Sequence, residues 1–296
     1  MNLIPLNTIE SVNHIIKHAH ELCLEYDPNS DCKKYLIDKI NLNNTNSFYS
    51  TKNNIICGLA IIEIVDKHYG NLIIHCIDRE HEAEMAKLLG HIIKKNILEL
   101  IQFRSNFNYR DAFLEIGYRE KERARMIHHD IGKFIETTPI ANTMLSPIQN
   151  SDKEICGHIS FNAHKHRQHI EHYDVYSTAT KRSQFAEALR SKKHGTPIDS
   201  ASLLLKYNNQ TIGLIEVVDV MYFNEPIGWI MDVAILPEFQ GMGLGQYLIK
   251  SSLGEAYKSG YSKVGLGVTL SNRSAYQLYQ NLGFEEYEIF VEIIGL

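Results

Sequence analysis

"WIMDVAILPEFQGMGLGQYLIKSSL" (229–253) runs from an apolar stretch through a proline into three glycines at alternate positions, Gly241, Gly243 and Gly245. The apolar residues up to Leu236 read as a strand, and "GQYLIKSSLGEAYKSG" (245–260) reads as a helix. Strand, glycine turn and helix start, in that order, leave backbone N–H groups pointing at an anion, assisted by the helix dipole. Glycine matters at such a turn because a side chain would keep a pyrophosphate from the main chain. Two better-known phosphate loops do not fit. The Rossmann spacing GxGxxG fails in both registers, because Gln246 and Leu248 stand where its third glycine belongs, and the Gly-Lys-Ser/Thr of a P-loop is absent. A plain flexible corner is the remaining alternative.

About thirty residues on, "SNRSAYQLYQNLGF" (271–284) reads as a capped helix that ends at Gly283. Together the two stretches resemble the GNAT superfamily of acetyl-CoA-dependent N-acyltransferases. Its pyrophosphate motif, Q/R-x-x-G-x-G/A, is matched by Gln240, Gly243 and Gly245. Its second motif, N-x-x-A-x-x-L-Y-x-x-x-G-F, is matched by Asn272, Ala275, Leu278, Tyr279, Gly283 and Phe284. The clear likeness covers about 200–296.

The resemblance implies a set of roles. The strand ending at Leu236 should split from its neighbour, with the main chain of Val233 and Ile235 facing pantetheine and the Val233 N–H polarising the thioester carbonyl. Gln240, Gly241, Met242, Gly243, Leu244 and Gly245 would hold the pyrophosphate. Asn272, Ser274, Tyr276 and Tyr279 would present the second helix to the cofactor, Asn272 at the pantetheine arm and Tyr279 protonating the departing thiolate. The usual general bases of the family are missing: Trp229 stands eleven residues before Gln240, and Gly267 stands on the next strand. Glu216 and Asp232 are the first candidates to deprotonate the amine, through water, ahead of Asp219 and Tyr222. A structural hydrogen-bonding role for Asp232 is an equal alternative. The expected cosubstrate is acetyl-CoA with no metal, and the expected partner is an amine acceptor: a protein lysine or N-terminus, a polyamine, an aminoglycoside or an amino-sugar thiol precursor. A non-catalytic acyl-CoA sensor or protein-interaction module is the alternative that the missing base suggests.

The chain also repeats itself. "NNIICGLAIIEIVDKHYGNLIIHCI" (53–77) echoes 208–235, and "SNFNYRDAFLEIGYRE" (105–120) echoes "SNRSAYQLYQNLGFEE" (271–286) at a constant offset of 166 without a gap. This predicts an α+β (mixed α/β) protein of two tandem GNAT-like domains, 1–140 and 150–296, each a mostly antiparallel mixed sheet with helices on both faces. Tandem copies resemble mycothiol-synthase-like enzymes and VipF-type bacterial effectors. The seam is expected near 134–154, where Thr, Pro, Asn and Ser concentrate. In the second copy, helices are expected at 158–172, 180–193, 243–259 and 272–281, and strands at 201–207, 212–222, 228–236, 263–269 and 284–294. The first copy should be catalytically silent: Glu82 and Glu84 stand near the place of the glycines, where carboxylates would repel a pyrophosphate, and Phe113 stands in place of Tyr279.

Composition sets outer bounds. At 296 residues, 44% hydrophobic and 22% charged, the chain has apolar surface for two ordinary cores. A net charge of −5 gives no general attraction to nucleic acid or anionic membranes. No apolar run reaches the roughly 18 residues of a membrane span, and the start lacks a signal-peptide pattern, so a cytoplasmic protein is expected. A dedicated secretion system would leave no such mark. Five scattered cysteines without CxxC spacing fit reduced thiols. His158, His164, His166, His169 and His172 crowd one segment, yet no Cys or carboxylate pair completes a metal set, and they are expected to line the acceptor cleft. The basic stretch 181–195 reads as a solvated helix face.

Overall fold

The computed structural model describes residues 2–5, 45–52, 55–64, 69–76, 79–95, 100–104, 109–165, 167, 173–222 and 225–295. His166, His169 and His172 of the histidine-rich segment lie outside the described residues. The chain divides into two compact units: Met1–Glu122 with Ile289–Leu296, and Arg123–Glu288.

In the first unit, strands β1 (Asn2–Pro5), β2 (Thr45–Lys52), β3 (Ile55–Ile64) and β4 (Tyr69–Cys76) pair antiparallel in sequence order. Helix α1 (Arg79–Lys95) leads to β5 (Leu100–Arg104), which lies parallel to β4 over only three pairs, Tyr69–Leu100 to Asn71–Gln102. Helix α2 (Tyr109–Glu115) follows, ending near Gly117 at φ 89°. The next strand, β6 (Arg119–His128), does not close this sheet against β5; the terminal residues Phe290–Ile294 pair with β5 instead.

The second unit repeats the plan. Strand β7 (Thr143–Pro147) precedes helices α3 (Lys153–His164) and α4 (Ala179–Arg190). Then come β8 (Thr196–Pro197), β9 (Leu203–Tyr207), β10 (Gln210–Tyr222), β11 (Glu225–Ile235), α5 (Leu244–Lys258), β12 (Val264–Thr269), α6 (Arg273–Leu282) and β13 (Glu285–Ile294). The sheet order is β6, β12, β11, β10, β9, β7, with residues Arg123–His128 of β6 on β12; all contacts are antiparallel except β11 with β12. The fold is thus mixed α/β with a mostly antiparallel sheet. Residues 134–154, read as the seam, sit inside the second unit, where Thr143–Pro147 pairs with β9. The turn-forming residues around this strand masked it in the sequence.

The run of Ile212, Leu214, Ile215, Val217 and Val218 explains why β10 is central. Its middle is buried on both faces, as a strand covered by helices must be. Helix α4 starts where the Thr178 hydroxyl accepts from the Lys181 N–H at 3.2 Å. Helix α3 begins at Lys153, five residues before the expected start, and packs closely on α4 through Gly157. A Cβ there would stand 2.1 Å from Ser183 Oγ and 2.4 Å from the Ser183 backbone nitrogen. No helix among the described residues is long and apolar enough to cross a membrane.

Candidate active site

The site forms where β11 and β12 part. Their parallel pairing covers Gly228–Val264, Trp229–Gly265 and Ile230–Leu266 and then stops, although β11 continues to Ile235 and β12 to Thr269. The break coincides with a bulge in β11: Glu216 faces Asp232, the next pair is Val217 with Ile230, and Met231 is the extra residue. Beyond the bulge, the Leu236 N–H donates to the Ile212 carbonyl at 2.9 Å. Strand alternation then turns the main chain of Leu236, Ala234 and Asp232 toward β10, and that of Val233 and Ile235 into the opening. Main-chain groups directed into such a gap need a partner. The Ile235 carbonyl receives the Gln240 side-chain amide at 2.7 Å, and Arg167 Nη2 in turn donates to Gln240 Oε1 at 2.5 Å.

At the end of the opening the chain turns through Gly241 (φ 80°) and Gly243 (φ 76°) into α5. These left-handed conformations favour glycine. A Cβ at either position would meet no atom of the described residues within 4 Å, so the space beside them is open to a ligand group as far as those residues go. Gly243 is the N-cap of a 15-residue helix and has no side chain to cap it, so the first-turn amides lack a side-chain acceptor. Backbone amides, helix dipole and an unfilled approach together fit a phosphate group. Met242 is 48% exposed beside this turn, while Leu244 is buried and fastens the helix to the core.

Behind the bulge lies a buried polar cluster. Asp232 Oδ2 accepts from Arg182 Nη2 at 2.5 Å, and Arg182 Nε donates to Ser160 Oγ at 2.9 Å. The guanidinium also lies over the rings of Tyr176 and Phe185, with 4.3 and 4.5 Å to the ring centroids. Burial opposes charge on both partners, but their attraction wins, keeping the Asp232 carboxyl below its ordinary range and Arg182 above its own. The basic stretch 181–195 is therefore not wholly a solvated face: Arg182 is buried, four residues before buried Ala186 and seven before buried Leu189. Its place on that stripe was the available sequence signal.

Glu216 pairs across the ladder with Asp232 and is also buried. Neither carboxyl oxygen has a hydrogen-bond partner among the described residues. Burial, with the Asp232 charge adding to it, pushes this carboxyl up to about 8, so it carries its proton at neutral pH. Cys156 lies in the same surroundings, and burial pushes its thiol up, away from a reactive thiolate.

His164, the last residue of α3, reaches the same place. Its Nε2 lies 3.8 Å from Asp232 Oδ1, and its ring meets Tyr176 edge-on at 5.2 Å between centroids. A hydrogen bond to the Val233 backbone favours the charged ring. Burial outweighs this and the nearby Asp232, holding the imidazole below its usual range and hence neutral near pH 7.

Tyr279 is buried on α6 and packs edge-on against Phe284 at 5.8 Å between centroids. Burial, then the charge of Asp232, push its phenol well up. An ordinary phenol near 10 is already a weaker acid than a thiol near 8.5. Tyr279 is thus suited to donate a hydrogen bond to a thiolate rather than to surrender its proton. Asn272 caps α6, accepting from the Ala275 N–H at 3.5 Å and from Ser274 Oγ at 3.2 Å. The Tyr276 hydroxyl points elsewhere, donating to Glu286 Oε2 at 2.6 Å. The structure therefore gathers Val233, Asp232 and Glu216 around the bulge, with Tyr279 coupled to Asp232, and adds Arg182 and His164.

The first unit shares the parting strands but differs at the matching positions. Glu82 and Glu84 lie within α1, Glu82 buried and Glu84 exposed. Phe113 and Tyr118 form an edge-on pair at 5.2 Å, mirroring Tyr279 and Phe284 with the hydroxyl on the other member. That hydroxyl is committed to the Gly90 carbonyl at 2.9 Å.

The chain is similar to known proteins in sequence and in fold. A profile of the Acetyltransferase (GNAT) family matches residues 173–284. A mycothiol acetyltransferase from Thermobifida fusca is 42% identical over 64 residues, 22% of this chain and 20% of that protein, so the match spans about a fifth of the relative's length. Among solved structures, a GCN5-related N-acetyltransferase from Sphaerobacter thermophilus superposes with a TM-score of 0.59 at 15% identity, covering 98% of this chain and 94% of the other. A tandem GNAT protein from the clavulanic acid biosynthesis pathway gives 0.55 at 12% identity, covering 99% and 97%. These two likenesses are ones of fold.

Proposed function

Because the chain belongs to the GNAT superfamily of acetyltransferases, whose family profile its residues 173–284 match, we propose that it transfers an acetyl group from acetyl-CoA directly to an amine. The observation that carries this reading is the gap beside β11, which opens after three residue pairs and receives the main chain of Val233 and Ile235. Acetyl-CoA supplies the activated thioester carbon. The amides following Gly241 and Gly243 are suited to hold its pyrophosphate, and Ile235 to pair with the pantetheine arm once Gln240 releases the carbonyl. The Val233 N–H would draw electron density from the thioester carbonyl as charge develops there. Tyr279 would hydrogen-bond the sulfur. No metal has a part in this scheme. The acceptor is a protein lysine or N-terminus or a small amine, met in the cytoplasm or, after export, in another cell.

Calorimetry and thiol release test the reading. Native protein is expected to bind acetyl-CoA and to release CoA with at least one member of a panel of amines and peptides. Replacing Gly243 with Val should weaken cofactor binding about tenfold or more, because a side chain there is strained and fills the phosphate approach. Unchanged affinity in that variant would contradict the reading. Tight binding without turnover across the panel would instead favour a sensor of acyl-CoA.

A further inference from the structure

We propose that the amine acceptor carries an oxyanion group, a carboxylate or a phosphate, and that Arg123 binds it. This rests on the acetyl-transfer reading and names the class of acceptor. The site is built on β12, whose "VGLGVT" (264–269) alternates two glycines with buried Val264, Leu266 and Val268. Gly265 and Gly267 therefore leave one face of the strand without side chains. Two side chains from neighbouring strands lie over that face instead. A Cβ at Gly265 would stand 2.5 Å from Trp229 Cζ3, and one at Gly267 would stand 2.9 Å from Arg123 Nη2 and 3.6 Å from its Cζ. Gly267 is the first residue of β12 beyond its last pair with β11, so the guanidinium lies where the opening begins. Both Arg123 and Trp229 are half-buried.

This face is the one opposite the glycine turn. Glu216 and Val218, two apart on β10, pair with Asp232 and Trp229, which puts Trp229 on the side of Asp232 and its partner Arg182 of α4. Ile235, three residues beyond Asp232, is turned the other way, its Cγ1 3.8 Å from a Cβ at Gly245 of α5. A cofactor whose pyrophosphate sits on α5 thus leaves the Trp229 side of the opening to the amine. Aromatic rings wall that side: Tyr222 lies 5.9 Å from Trp229 and 5.5 Å from Tyr287 between centroids. Arg125 pairs with Gly267 in the ladder, shares the face with Arg123, and donates to Glu288 Oε2 at 2.6 Å. Glu288 thus answers one of the two guanidiniums. All of these residues belong to the second unit. A guanidinium is a planar fork that matches a carboxylate or a phosphate, and the charge on such an anion strengthens each hydrogen bond. A second ammonium would instead meet like charge, so a polyamine fits the site poorly.

The test measures CoA release by native protein with amines matched except for the anion: ω-amino acids against their carboxamides, acidic peptides against their amidated forms, and phosphoethanolamine against ethanolamine. In at least one pairing kcat/KM is expected to be about tenfold or more higher for the anionic member, and the pairing that shows it tells carboxylate from phosphate. In Arg123→Gln that ratio should fall to within about twofold of unity, with the acetyl-CoA Kd, measured by calorimetry, within about twofold of native. Gly267→Ala keeps the charge but displaces the guanidinium, and it should raise KM for the anionic amine with the same acetyl-CoA Kd. Should Arg123→Gln not fold, the native ratio and the Gly267 variant decide. Neutral or cationic amines and peptides turned over as well as the anionic ones, or a preference that survives Arg123→Gln, would overturn the proposal and leave acetyl transfer standing. Native protein that releases no CoA with any amine or peptide would sink both.

Discussion

Glu216 shows how little a residue's type reveals without its surroundings. In the sequence it is a carboxylate near the bulge and a candidate base; in the fold it is a neutral acid sealed against the Asp232–Arg182 pair. The folded protein holds this proton more tightly than the unfolded chain, whose carboxyl titrates near 4.5. Between that value and about 8 the folded state therefore carries the excess proton, and stability falls as pH rises. The full effect is on the order of a few kcal/mol. Glu216→Gln copies the neutral acid and should flatten that fall: thermal melts should agree with native at about pH 5 and exceed it at about pH 8. An equal difference at both pH values would contradict the assignment. Asp232 acts in a separate window, since its depressed pKa contributes stability that is lost only in stronger acid. Arg182 was legible only as part of a basic helix, because pairing with Asp232, fifty residues away, is a matter of tertiary contact.

Elements were easier to read than their junctions. The expected strands and helices of the second copy correspond to those observed, with α3 displaced, since it starts at Lys153 where the reading placed the start at 158. The bulge at Met231 left no mark, because it arises from the register between β10 and β11. The close contact of α3 and α4 is what brings Arg182 to Ser160 and Asp232, and it depends on Gly157. Gly157→Ala should force the helices apart and lower stability by about 1–3 kcal/mol. The measurement is the urea midpoint; a shift below about 0.3 kcal/mol would show that the helices yield freely.

Across the whole molecule, the internal repeat is visible in corresponding hairpins, strand pairs that part after three residues, and helices that end before Gly117 and Gly283. The copies differ where chemistry would occur, as the glycine turn and Tyr279 belong to the second alone. Calorimetry is therefore expected to count one acetyl-CoA per chain, and two would show that the first unit also binds. The periodicity of apolar residues, the glycines at 241–245 and the sixteen-residue echo sufficed for the repeat, the class of fold and the left-handed turn into α5, because backbone conformation is a local demand on sequence. The makeup of each sheet was decided elsewhere: β5 pairs with Phe290–Ile294 and β12 with Arg123–His128, since either strand offers the same hydrogen-bonding edge and only the packed chain selects between them. The ionisation of Glu216, Asp232 and His164 likewise waited for tertiary structure, because it depends on burial and on charges brought together from distant parts of the chain.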